Sequence, residues 1–153
     1  TPKPSSAASD VYKRQVYAMN IKFTTANTDP NEFAVHSGNI TYNGGNKNYG
    51  CTGGYVLYLN QAKDGTTTIN GQTTTIPNNE WISVVAVCDF TTHKVNVVAK
   101  SLDSSKTYFD GEVDMADTDA TGMSGLYFKY GKKAYGSISF DNIEIFSADQ
   151  YTE

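Results

Sequence analysis

Tyrosine, asparagine and lysine recur together at two places in this chain, and that mixture of side chains suits a sugar ring. A pyranose presents an apolar C–H face and a rim of hydroxyls, so a site for it needs an aromatic platform beside amide, carboxylate or ammonium groups. Residues 42–49, YNGGNKNY, offer Tyr42, Asn46, Asn48 and Tyr49 inside the most glycine-rich loop of the chain. Residues 127–135 offer Tyr127, Lys129, Tyr130 and Tyr135, with Lys132 and Lys133 at a turn between them. Those lysines suit an anionic polymer such as a uronate-containing glycan. Each set also has a plainer reading. Tyr127 and Tyr135 are strand residues that cover a sheet, and lysines at a hairpin turn discourage edge-to-edge pairing.

A third group is acidic. Asp117, Asp119 and Thr121, followed by Gly122, read D-x-D-x-T-G, the first half of a calcium loop with hard oxygens at alternate positions. The twelfth position is Phe128 instead of a bidentate glutamate, so this is no EF-hand, and a solvated acidic loop is the simpler reading. Nucleophilic catalysis has no support: G-x-S-x-G is absent, and His36 and His93 stand alone, as ordinary surface histidines do. Zinc lacks a cysteine at ligand spacing from either histidine.

These residues must be positioned by strands. Among 153 residues the charged fraction is only 18%, and Thr, Asn, Gly and 11 tyrosines are abundant, as in β proteins with polar loops. The centre is read at residues 81–100, WISVVAVCDFTTHKVNVVAK. Ile82, Val84, Ala86, Cys88 and Phe90 face one way and Trp81, Ser83, Val85 and Val87 the other, so both faces are expected to be covered, with Trp81 in the core. Asp89 to His93 supply turn chemistry. Residues 16–23 alternate cleanly as a half-buried strand, and Asn70-Gly71 marks a tight hairpin. Residues 106–110 read as a short strand and 111–125 as an acidic loop. In the last strand Ile138 and Phe140, then Ile143 and Ile145, point inward, so parity slips at Asp141-Asn142 and a β-bulge is predicted there. No segment keeps a helical period. Nine to twelve short strands with turns between them predict an all-β, antiparallel two-sheet sandwich over residues 16–147.

Residues 1–15 lack alternation and read as a linker or non-native leader, SAASDVYKRQ being similar to a translated sequencing adapter; residues 148–153 read as a tail. A net charge of −4 argues against a nucleic-acid partner, and no apolar run approaches the ~20 residues of a membrane helix. Cys51 and Cys88 could bridge in an oxidising compartment. The position of Cys88 beside Val84 and Ala86 favours a small core thiol instead.

The ending YGSISFDNIEIFS resembles the closing strand of concanavalin- or laminin-G-like jelly rolls, and residues 81–100 resemble their central strand and its partner. The resemblance covers most of residues 16–146. It implies a carbohydrate-binding module of the bacterial type, secreted, attached to a larger multidomain chain and partnered by polysaccharide. It also implies an extra strand ahead of Val16, which the sequence does not show. Some such domains hold a structural Ca²⁺, and Asp141 resembles a position that is sometimes a ligand. Glu112, Asp114 and Asp117 read E-x-D-x-x-D, close to the E-x-D-x-x-E strand of laminarinase-type glycoside hydrolases, which share the fold; here the third residue is one methylene shorter. A different class, an adhesion or structural domain with this fold and no sugar site, fits the same pattern.

Overall fold

Strand alternation carries the architecture. Among the described residues ten strands follow in order: β1 (Arg14–Thr25), β2 (Asn31–His36), β3 (Tyr55–Gln61), β4 (Thr66–Ile69), β5 (Gln72–Thr75), β6 (Ile82–Asp89), β7 (Lys94–Ser101), β8 (Thr107–Asp114), β9 (Gly125–Lys129) and β10 (Gly136–Ser147). The computed structural model describes residues 13–26, 28–38, 54–129 and 136–150. The strands form two five-stranded sheets, β10-β1-β6-β7-β8 and β5-β4-β3-β2-β9. All their pairings are antiparallel. The result is a jelly-roll β-sandwich. Its helical content among the described residues is one 3-10 turn, Ala148–Gln150, and no helix there is long and apolar enough to cross a membrane.

The hairpin of β6 and β7 holds the middle of the first sheet, as the sequence predicts. Ile82, Val84, Ala86 and Cys88 are buried and meet Ser101, Ala99, Val97 and Val95 across the pair. From β1 come Tyr17, Met19, Ile21 and Phe23, and from the second sheet Phe33, Val35, Leu57, Leu59 and Ile69, to complete one core. Phe33 is its hub, with ring centroids 6.1 Å from Tyr17, 5.5 Å from Phe128 and 5.4 Å from Phe140. Each such side chain fully buried contributes on the order of 1.5–3 kcal/mol.

Four expectations are corrected. The second face of β6 carries no covering layer of comparable depth: Ser83, Val85 and Val87 are only half-buried. Val85 lies between Ala18 and Val98 in register, and cross-strand neighbours of that kind shade an apolar side chain without a third layer. Trp81, one residue ahead of β6, is half-exposed and outside the core, because its parity turns it to the outer side. The acidic segment is partly strand: β8 runs on to Asp114 because Asn96 and Lys94 of β7 continue to pair with Glu112 and Asp114. Finally, Ile143 and Ile145 are 42% and 53% exposed, since β10 is the edge of its sheet.

The predicted bulge does occur. Ala18 pairs with Glu144 and Asn20 with Asp141, so Met19 faces two residues of β10, and Asn142 takes a positive φ of 52°. The Asn70-Gly71 turn also forms, with φ of 46° and 86°, the two left-handed positions that a tight hairpin needs. β10 can start beside β1 only with glycine at 136, where a Cβ would stand 2.1 Å from the Thr24 carbonyl oxygen. β1 begins at Arg14, two residues before clean alternation, because pairing with β6 and β10 recruits the polar Gln15.

Candidate functional site

The outer face of the second sheet gathers what a sugar site requires. In β2 the inward Phe33 and Val35 belong to the core, so Glu32 and Ala34 must face out. Register then decides their company. Ala34 lies between Tyr58 of β3 and Tyr127 of β9, and Glu32 between Asn60 and the backbone of Lys129. Alternation puts His36 on the same side, opposite Gly125, and a shift in register after Val35 sets Tyr55 across from it on β3. Ala34 is wholly buried and places only a methyl group between two tyrosines.

The rings are arranged in pairs. Tyr55 and Tyr58 stack with centroids 5.0 Å apart and 28° between planes. His36 and Tyr127 meet edge to face at 5.8 Å. Beside them the Tyr58 hydroxyl donates to Glu32 Oε1, to which Asn60 Nδ2 also donates at 3.1 Å. Asn60 Nδ2 further reaches the Tyr58 oxygen at 3.3 Å. Burial holds His36 below the usual imidazole range, so the ring faces its tyrosine as a neutral group. Phenol rings, an amide and a carboxylate side by side can stack on a C–H face and exchange hydrogen bonds with hydroxyls.

Of the residues read from sequence as sugar-binding, Tyr127 is on this face and Lys129 is in register with Glu32. Tyr42, Asn46, Asn48, Tyr49, Tyr130 and Tyr135 lie outside the described residues. Sequence reasoning missed Glu32, His36, Tyr55, Tyr58 and Asn60. The signal was present in YVLYLN, where Leu57 and Leu59 point in and Tyr58 and Asn60 therefore point out. The reading of both histidines as ordinary surface groups is also corrected. His36 is only 5% exposed, and His93 is half-buried with Nε2 3.1 Å from the Ala120 carbonyl oxygen.

The acidic residues do not converge. Asp117 is buried at the end of the second sheet, where Ser37 Oγ donates to Oδ2 at 2.5 Å and the Asp119 N–H donates to Oδ1 at 2.9 Å. Asp119 and Thr121 are exposed in the loop beyond it. Asp141 stands opposite Asn20 in the other sheet, accepting from the Asn142 N–H. These four residues are thus divided between a buried turn, an exposed loop and the opposite sheet, an arrangement that does not fit one shared Ca²⁺. Among the described residues no group of three or more His, Cys, Asp or Glu could hold a metal ion. The E-x-D-x-x-D residues are likewise scattered: Glu112 and Asp114 are exposed on β8, Asp114 pairs with Lys94, and Asp117 lies past the strand end. Cys51 lies outside the described residues; Cys88 is a free thiol whose burial pushes its pKa up to about 12.

No protein-family model matches the chain, and no curated protein matches it in sequence. Solved structures share its fold. Lectin II from Ulex europaeus superposes with a TM-score of 0.53 at 10% identity, over 83% of this chain and 69% of the lectin. Lectin UEA-II complexed with galactose gives 0.52, at 10% identity and the same coverage. The catalytic domain of a glycoside hydrolase family 131 protein from Coprinopsis cinerea gives 0.53 at 12% identity, over 90% of this chain and 58% of that one. The chain thus spans less than two thirds of the hydrolase domain. At such identities the likeness is one of fold alone: the chain shares a jelly-roll β-sandwich with these structures.

Proposed function

We propose that the chain is a non-catalytic carbohydrate-binding module, carried outside the cell by a larger bacterial protein that degrades or displays polysaccharide. The observation that supports this most directly is the register of β3, β2 and β9, which sets Tyr58 and Tyr127 on either side of Ala34 with Glu32 and Asn60 alongside. In this reading the tyrosines stack on sugar faces while Asn60 and Glu32 bond hydroxyls. The module raises the local concentration of its attached partner on the polymer. The fold neighbours include lectin structures, one of them complexed with galactose, which favours sugar binding over an adhesion domain without a sugar site. The E-x-D-x-x-D residues lend the hydrolase reading no support, Asp114 and Asp117 being engaged in separate local contacts. The lysine-based expectation of an anionic glycan competes with Glu32, whose carboxylate suits a hydroxyl-rich plant glycan.

Affinity electrophoresis in gels containing neutral and uronate-bearing plant and algal polysaccharides tests the proposal. Retardation by at least one glycan is expected. Tyr58→Ala and Tyr127→Ala should each weaken it about 10- to 100-fold, the equivalent of roughly 1.5–3 kcal/mol for taking away the ring on which a sugar stacks. Unchanged mobility on every glycan, or retardation of both folded variants equal to that of the natural chain, overturns it.

A further inference from the structure

The single tryptophan of the chain lines a place that the tyrosine face does not use. At the end of the first sheet an open depression of about 410 Å³ is bounded by Trp81 and Glu80 on one side and, on the other, by the β7–β8 turn with Leu102, Asp103, Lys106 and Tyr108. Small-ligand sites begin at roughly 300 Å³.

Both walls are held firmly by side chains acting on backbone. Ahead of Trp81, Asn78 imitates a strand partner: its Oδ1 accepts from the Thr25 N–H and its Nδ2 donates to the Thr25 carbonyl, each at 2.8 Å. Asn79, at a φ of 64°, donates its N–H to the Phe23 carbonyl at 2.7 Å. The indole is steadied from β1, where Lys22 Nζ sits 5.5 Å from the ring centroid. In the opposite wall Asp103 Oδ1 accepts from Ser101 Oγ at 2.7 Å, the Ser105 N–H at 3.0 Å and Ser105 Oγ at 2.7 Å. All three donors fall on one oxygen, which leaves Oδ2 for another donor. The Tyr108 hydroxyl reaches Glu80 Oε2 at 3.4 Å and links the walls.

Trp81 is half-exposed at a position where the sandwich does not need it, and Leu102 is 52% exposed beside it. A flat indole, a phenol and an exposed leucine supply an apolar platform; the carboxylates of Glu80 and Asp103 supply acceptors at its rim. Carboxylates of this kind take hydroxyl donors, and two of them against the single ammonium of Lys106 leave the lining net negative, which disfavours a uronate. From this arrangement we infer that the depression is a second saccharide-binding site, specific for neutral pyranoses and independent of the tyrosine face. Its walls are fixed before ligand arrives, which lowers the ordering cost of binding. Two sites on one domain make it bind a polymer more tightly than a short oligosaccharide.

Because Trp81 is the only tryptophan, its fluorescence reports this site alone. Titration of the folded chain with cellohexaose, xylohexaose, mannohexaose and hexagalacturonate is the test. A saturable change in tryptophan emission with at least one neutral hexaose is expected, at least tenfold weaker in Tyr108→Ala and in Asp103→Ala. The change should persist in Tyr58→Ala, which separates this site from the tyrosine face. No saturable change with any neutral hexaose, a response to hexagalacturonate alone, or loss in Tyr58→Ala equal to that in Tyr108→Ala overturns the inference.

Discussion

Two aromatic regions of this domain carry similar chemistry and are positioned by different physics. The tyrosine face of the second sheet rests on strand register: Tyr58 and Tyr127 come from strands almost seventy residues apart in number and share one row only because β2 pairs with both β3 and β9. The Trp81 depression rests on turns whose shape is imposed by Asn78 and Asp103. A ladder of backbone bonds shares its load over many residues, so no single outward side chain should matter to its geometry. A turn held by one amide has no such reserve.

That contrast can be broken from the core outward. Phe33→Ala should have the largest effect, about 3–5 kcal/mol lost in urea denaturation, because the ring packs under the tyrosine face against Tyr17, Phe128 and Phe140. Trp81→Ala should move the same midpoint by no more than about 1 kcal/mol, since the indole lies outside the core. A larger loss from Trp81→Ala would place it structurally on a par with Phe33 and end the distinction.

Asn78→Ala comes next. It removes both bonds to Thr25 and should cost about 1–3 kcal/mol, with weaker oligosaccharide response at Trp81 and a smaller loss of retardation than Tyr58→Ala causes. Equal weakening at both places would show that the two regions are not independently held.

The smallest effect concerns pH and belongs to the tyrosine face. His36 is buried with its pKa lowered by desolvation, so the unfolded chain takes up the proton first. The stability that the neutral ring contributes is therefore complete above the ordinary imidazole pKa of about 6.5 and lost as pH falls below it. The midpoint of urea denaturation should drop between pH 7.5 and 5 more steeply in the natural chain than in His36→Gln. Parallel profiles would show that His36 is not the titrating group.

Local pattern made much of this fold legible. Period-two alternation in β1, β6 and β7 names the core residues because a pleated strand has only two sides, and Asn70-Gly71 names its turn because few residues tolerate two left-handed positions. The slip of parity near Asn142 is equally local. The candidate site was half visible. Tyr127 could be selected by composition, whereas Tyr58 and Asn60 were hidden in a strand whose polar side carried no obvious cluster until β2 was laid between β3 and β9.

The amino-acid order alone therefore settled the all-β class, the β6–β7 hairpin at the centre, the bulge in β10 and the small buried Cys88. These depend on neighbours within about ten residues, where sterics and side-chain period act directly. Tertiary structure decided that Trp81 stands at the rim instead of the core, that β8 extends to Asp114, that Asp117 caps a turn and that Tyr58, Ala34 and Tyr127 share one row. Each of those outcomes is a pairing between segments far apart in sequence. Which strand becomes a neighbour, and in which register, is fixed by how the whole set of apolar faces can be buried at once.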